Sequence, residues 1–225
     1  MLPRFISYIL GKPYYCEPLR KHISNYDQIQ EFVIDREKDI EDKPNQARGL
    51  AQYLKKCAWY EDANNINKVY LVKDTKTKQI VAYFALKAGM LASPEGSRLT
   101  DEERDLLKTI GIKSIPTSLS GIELSNFAVN DKYREDIKAK TGIMPTKIGK
   151  YIFPEFIMPI VEDVSKHIAI QYLYLFAADD GKDETLINYY KNIFDFSTVE
   201  DSDNEKISPI QSDYENQCKF MYRKL

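Results

Sequence analysis

The sequence predicts a mixed α/β fold, a sheet with helices on its faces. Three observations predict it. Two apolar runs flank the polar "KDTKTKQ" at 73–79, the pattern of a β-hairpin. "AIQYLYLFAA" at 169–178 is a nearly continuous apolar run, as in a strand buried on both faces. Helical and strand patterns also succeed one another along the chain, without an internal repeat. The length of 225 residues suits one domain over 1–225, and 43% hydrophobic residues are enough for a sizeable core.

Each element has its own signal. "PYYCEPLRK" (13–21) reads as a first strand. "NYDQIQEFVID" (25–35) reads as a helix with Ser24 or Asn25 as its cap. "DKPNQARGLAQYLKKCAWYEDA" (42–63) is a longer helix, with Leu50, Tyr53, Leu54, Cys57 and Ala58 on one face. The hairpin comes next. Residues 91–119 look like an insertion between two strands, with one short helix capped at Thr100 and "DEE" in its first turn. "GIELSNFAV" (121–129) is the next strand, and it carries a carboxylate, Glu123, in its middle. A loop, "KAKTGIMPTKIGK" (138–150), leads into a helix from about Lys147 to His167, which Pro154 and Pro159 should kink. After the apolar strand comes a short amphipathic helix, "DETLINYYKNIF" (183–194). "FDFSTV" (194–199) and "NQCKFMYRKL" (216–225) close the chain as strands around an acidic loop.

Composition excludes several classes. A formal net charge of -2 gives no global basic field for nucleic acid, although a local patch can still form. The odd count of three widely spaced cysteines fits neither a disulfide framework nor a zinc site. With two histidines, His22 and His167, a Ser-His-Asp triad or a histidine metal site has little material. The start "MLPRFISYILG" is too short and polar for a signal peptide or a membrane span. These features suit a soluble cytoplasmic protein with no membrane partner and no metal.

Two stretches carry candidate chemistry. A strand, a loop and a helix beginning at "KIGK" make an anion site: helix-start amides and the positive dipole end attract phosphate. Gly149 permits close backbone approach there, and Lys147 and Lys150 add charge. Taken alone, a glycine near a helix start is ordinary turn chemistry. Tyr189 and Tyr190 lie late in a helix before an aromatic strand, where tyrosines are usually core residues.

In combination, four stretches resemble the GNAT superfamily of N-acetyltransferases, over about residues 45–225 and least over 91–119. "VYLVKDTKTKQIVAYFALKAG" is similar to the family's second and third strands. "IELSNFAVNDKYR" is similar to its fourth strand. "IGKYIFPEFI" is similar to the start of the helix that receives the coenzyme pyrophosphate. "YLYLFAADD" with "LINYYKNIFDF" is similar to its fifth strand and the tyrosine-bearing segment after it. The resemblance implies a mixed, mostly antiparallel central sheet of about six to seven strands, with acetyl-CoA as cosubstrate and an amine as acceptor. It implies that Phe127, Ala128 and Val129 pair with the pantetheine arm. Arg134, Lys147, Ile148, Gly149 and Lys150 would hold the pyrophosphate. Glu123, five residues before Ala128, would be the general base, and Tyr190 the acid for the leaving thiolate.

Two departures mark the chain. In the family's usual pyrophosphate motif the basic residue and the glycines form one run, whereas here "EDIKAKTGIMPT" separates Arg134 from "KIGK". Asp195 stands where the family's "F-G-F" has glycine. "LAQYLKKCAW" with "NNINKVYLV" also resembles the toxin-type branch that acetylates charged tRNA. Arg20, Lys21 and His22 with Lys132, Arg134, Lys138, Lys140 and Lys147 would then form the local basic track for tRNA. An inactive coenzyme-binding or interaction module stands as the reading from another class. The insertion at 91–119 suits a lid, a contact in a homodimer or a plain excursion.

Overall fold

The computed structural model describes residues 12–34, 48–93, 100–110, 117–178, 184–201, 207–210 and 218–225. The strands are β1 (Tyr14–Pro18), β2 (Lys68–Asp74), β3 (Ile80–Ser93), β4 (Thr117–Val129), β5 (Tyr172–Ala178), β6 (Ser197–Thr198), β7 (Ser208–Pro209) and β8 (Cys218–Lys224). They form one eight-stranded sheet in the order β1-β2-β3-β4-β5-β8-β6, with β7 on β3. The expected six to seven strands become eight because β6 and β7 are two-residue pieces. β6 is all that remains of the strand expected over 194–199. The β1–β2, β2–β3, β3–β7, β5–β8 and β6–β8 ladders are antiparallel, and the β4–β5 ladder is parallel. The fold is therefore mixed α/β with a mostly antiparallel sheet.

The chain divides into two compact units, Met1–Lys87 with Leu124–Ile160, and Ala88–Glu123 with Val161–Leu225. In the first, α1 (Asn25–Gln30), α2 (Arg48–Lys56) and α3 (Ala58–Ala63) contribute to a core of Leu19, Ile29, Phe32, Leu54, Val69, Leu71, Tyr83 and Ala128. The helix expected over 25–35 stops at Gln30. Tertiary demand outweighs propensity here. Phe32 is fully buried, and the Val33 N–H donates to the Asn130 side chain while its carbonyl accepts from Asp131 N–H. The long helix expected over 42–63 is interrupted at Cys57, giving α2 and α3; its residues before 48 lie outside the described ones. The short helix in 91–119 is α4 (Asp101–Thr109).

A buried polar cluster ties β1, β2 and α1 together. Lys73 Nζ lies 2.9 Å from Glu17 Oε1 and donates to Asn25 Oδ1 at 2.7 Å. Asn25 Nδ2 donates to the Leu19 carbonyl at 2.9 Å. The Lys73 and Glu17 side chains are only 4% and 2% exposed. Removing Lys73 leaves the buried Glu17 carboxylate with the more exposed Lys21, 3.6 Å from its other oxygen, as its remaining lysine partner. Lys73→Met should therefore cost about 3 kcal/mol or more of unfolding free energy, read from urea denaturation. A loss under about 0.5 kcal/mol, the size of a surface effect, would show the pair to be inert.

The second unit packs Leu91, Leu119, Tyr172, Tyr174, Ile207 and Tyr222, with Phe176 and Phe220 half-buried against them. β5 pairs along its whole length with β8, from Tyr172–Lys224 to Ala178–Cys218. Among the described residues no helix is long and apolar enough to cross a membrane.

Candidate active site

β4 carries four of the candidate residues, Glu123, Phe127, Ala128 and Val129. Its parallel ladder with β5 consists of the pairs Gly121–Tyr172, Ile122–Leu173 and Glu123–Tyr174. β4 itself runs on through Leu124 to Val129. Ala128 is buried in the first unit's core, while Phe127 and Val129 are half-buried.

The turn after β4 is held by Asn130. Its backbone N–H donates to the Val81 carbonyl at 2.8 Å, and its side chain donates to the Ile80 carbonyl at 2.8 Å and accepts from Val33 N–H at 3.1 Å. A buried asparagine that makes these bonds fixes where β4 stops. The chain then enters a helix, α5 (Asp131–Thr141), and this corrects the expectation of a loop from Lys138. The helix is anchored to the hairpin through Tyr133 Oη, which donates to Asp74 at 2.9 Å, and through Gln79 Nε2 to Asp136 at 2.9 Å. Gly142 ends it at φ 74°, donating its N–H to the Lys138 carbonyl, as a left-handed C-terminal glycine does. The residues that separate Arg134 from "KIGK" are thus mostly one ordered helix.

Arg134 lies in the first turn of α5, with Nη1 3.0 Å from Asp131 Oδ1. Its buried Nε–H meets no acceptor among the described residues. Lys147 is exposed and takes a left-handed conformation, φ 64°, immediately before α6 (Ile148–Ile152). Ile148 is buried; Lys150 is exposed. The expected kink takes the form of a π-helical segment, Phe153–Ile157, with Pro154 at its start, followed by α7 (Met158–His167). The first unit therefore contains Phe127–Val129, Arg134, Lys147, Ile148, Gly149 and Lys150 together.

Part of the basic track is paired with carboxylates. Lys132 pairs with Asp136 at 3.1 Å and lies 3.8 Å from Glu31. Arg20 lies 4.0 Å from Asp62, and Lys21 lies 3.6 Å from Glu17. Cations already paired with carboxylates release fewer counterions on meeting phosphates, while Lys138, Lys140 and Lys147 of the track are exposed.

The second unit holds the proton-handling candidates. Tyr190 sits in α8 (Thr185–Phe194), 8% exposed, with Tyr189, Phe194 and Phe196 ring centroids at 6.2, 5.8 and 5.6 Å. Burial pushes its phenol well above the ordinary tyrosine value, with Tyr189 adding to the rise. It stays protonated at neutral pH, as a proton donor must. Asp195 closes α8 at φ 59°, ψ 38°, the left-handed conformation that a glycine provides most cheaply. Aspartate tolerates that region better than most residues, so the departure from "F-G-F" leaves the helix end in place. Lys191 and Thr198 both donate to Asp201, which ties α8 to β6 and holds that carboxyl down at about 2. A depressed carboxylate stabilises above its ordinary pKa and loses its effect as pH falls toward 2, so this anchor is intact near neutrality.

Glu123 is 4% exposed on β4, and the Tyr174 hydroxyl donates to it. Sequence reasoning misses Tyr174. Two glycines inside strands are its signal: Gly89 on β3 and Gly121 on β4. A Cβ on Gly89 would lie 1.8 Å from Tyr174 Oη, and one on Gly121 would lie 3.0 Å from Tyr174 Cε1. Glycine in a strand interior often marks such a close approach.

Strand order, the parallel β4–β5 step and the helices around it define a GNAT-type fold. Solved structures agree. A tyrosine-to-phenylalanine mutant of the toxin AtaT matches with a TM-score of 0.54 at 12% identity, over 94% of this chain and 89% of that one. A structure described as a bacterial toxin matches at 0.54 and 14%, over 95% and 92%. AtaTR bound with acetyl-CoA matches at 0.53 and 12%, over 94% of each chain. At these identities the likeness is one of fold. No family model and no curated relative matches the chain.

Proposed function

We propose that this protein transfers acetyl from acetyl-CoA to a primary amine by direct attack in a ternary complex. One observation carries the reading. The parallel β4–β5 ladder ends at Glu123–Tyr174 while β4 runs on to Val129, so the strand continues beyond its ladder where a pantetheine arm would add. Support also comes from the fold shared with AtaTR, whose structure contains acetyl-CoA. The backbone of Phe127–Val129 pairs with pantetheine, and the amides of Ile148, Gly149 and Lys150 receive the pyrophosphate with Lys147 and Arg134. Arg134 suits this because its buried Nε–H is an unused donor.

The chemistry rests on the groups present. Glu123 accepts a proton from the incoming ammonium, because only a neutral amine attacks a thioester. The nitrogen lone pair forms the new C–N bond, and the amide of Val129 polarises the carbonyl as it becomes an oxyanion. The C–S bond then breaks, and Tyr190 gives its proton to the leaving thiolate. Free coenzyme A and an N-acetylated product result. Holding both reactants in line supplies much of the rate gain.

Gly149→Asp tests the placement of the coenzyme. It puts a carboxylate where phosphate and backbone meet, and acetyl-CoA affinity should fall at least about tenfold by calorimetry, roughly 1.4 kcal/mol. An unchanged dissociation constant would refute the pyrophosphate site. Absence of binding by the wild type at millimolar coenzyme would refute the function.

A toxin role is the second reading, favoured by the neighbours described as toxins and by a structure of AtaT with its antitoxin AtaR and acetyl-CoA, TM-score 0.52 at 12% identity. The acceptor would then be the amino group of a charged tRNA, and a protein antitoxin would be a partner. The paired state of Arg20, Lys21 and Lys132 weighs against a tRNA track on those residues. A cytoplasmic location fits either reading.

A further inference from the structure

We propose that Tyr174 is a positioning residue for Glu123, built into the sheet to hold the carboxylate that accepts the amine proton. This inference rests on the acetyl-transfer reading and adds to it a residue which that reading did not contain.

Glu123 and Tyr174 are a registered pair in the parallel ladder, so their side chains leave the sheet on the same face. Both are 4% exposed. A carboxylate at such depth is costly unless donors satisfy it, and the Tyr174 hydroxyl donates to it. The phenol has few alternatives. Its ring lies against Gly121 on one strand and Gly89 on the next, and neither contributes a side chain. Phe176 and Phe220 hold its other side, with ring centroids at 6.3 and 6.0 Å.

The space at Gly89 admits the end of the phenol, its hydroxyl and Cζ included. Of the atoms a Cβ there would strike, the nearest is the hydroxyl oxygen at 1.8 Å, ahead of the ring carbons. The arrangement therefore fixes where the hydroxyl sits, and through it where the Glu123 carboxylate points. Tyr174 is a titratable group that faces Glu123 from β5. Burial holds the Tyr174 phenol above its ordinary value, with the Glu123 charge as the next cause, so it remains a donor through the working pH range.

The test is a double-mutant cycle on the full chain, with Tyr174→Phe, Glu123→Gln and both together. Tyr174→Phe keeps the ring and loses the hydroxyl. Its kcat should fall about tenfold near neutral pH while the KM for acetyl-CoA is unchanged, and should recover as pH rises. In the Glu123→Gln background the same change should cost nothing further, because the group it positions is gone. Additive losses, or no loss in Tyr174→Phe, would overturn the proposal while the transfer reading stood. If the wild type binds no acetyl-CoA, the transfer reading fails and takes the proposal with it. If Tyr174→Phe does not fold, the contact is read from the other side. With tyrosine labelled at 13Cζ, Glu123→Gln should move the Tyr174 13Cζ resonance at neutral pH, where the phenol is protonated in both proteins. An unmoved resonance would overturn the proposal.

Discussion

Tyr190→Phe should lower turnover about 100-fold or more while leaving the fold and the affinity for acetyl-CoA intact. The substitution removes one hydroxyl from a ring whose packing does not depend on it. Tyr189, Phe194 and Phe196 surround that ring, and all of those contacts survive in phenylalanine. Its backbone carbonyl, which accepts from Phe196 N–H at 3.3 Å and so ties the end of α8 to the following strand, also survives. What is lost is a proton delivered as the thiolate forms. The phenol carries its proton at neutral pH, so the donor is always loaded. A thiolate leaving unprotonated raises the barrier of C–S cleavage alone. The loss should appear in kcat, with little change in the acceptor's KM. The same variant separates the two functional readings. If wild-type expression arrests growth and Tyr190→Phe does not, the toxin reading gains. Near wild-type turnover in Tyr190→Phe would remove Tyr190 from the mechanism.

The parts legible in the sequence are those that local physics controls. The hairpin around "KDTKTKQ" is there because Asp74 Oδ1 accepts from the N–H groups of Lys76 and Thr77, both at 2.8 Å, and closes the turn within itself. β5 likewise arises from a long apolar run. Sequence expectations fail where a distant partner decides. Nothing local tells that Phe32 and Val33 are claimed by the core and by Asn130, which halves the expected first helix. The end of α5 looks like a loop in the sequence because "KAKTG" has no apolar stripe; its stability comes from Tyr133 and Asp136 contacts to the hairpin. Glu123 is visible as an anomaly, a carboxylate among branched residues. Its partner Tyr174 is hidden in an apolar strand where tyrosine reads as core. The two glycines that make room for it, one on each of two strands, become a signal only when the strand order is known.

Glu123→Gln should also lower activity about 100-fold near neutral pH, but with a different pH signature from Tyr190→Phe. Glutamine keeps the shape of the side chain and can still accept from the Tyr174 hydroxyl through its amide oxygen. It cannot take a proton. The variant then depends on whatever fraction of the amine is already neutral, and that fraction rises about tenfold per pH unit below the amine's own pKa. Activity should therefore climb with pH and approach the wild type once the amine needs no base. Tyr190→Phe has no such route, since alkali removes protons and the missing group is a donor. One acceptor that turns over, three proteins and a pH series decide it. A Glu123→Gln loss that stays constant across the series would mean that the carboxylate acts through charge or packing. Full activity at every pH would leave Glu123 as a buried structural partner of Tyr174, and the amine would have to lose its proton to water before it binds.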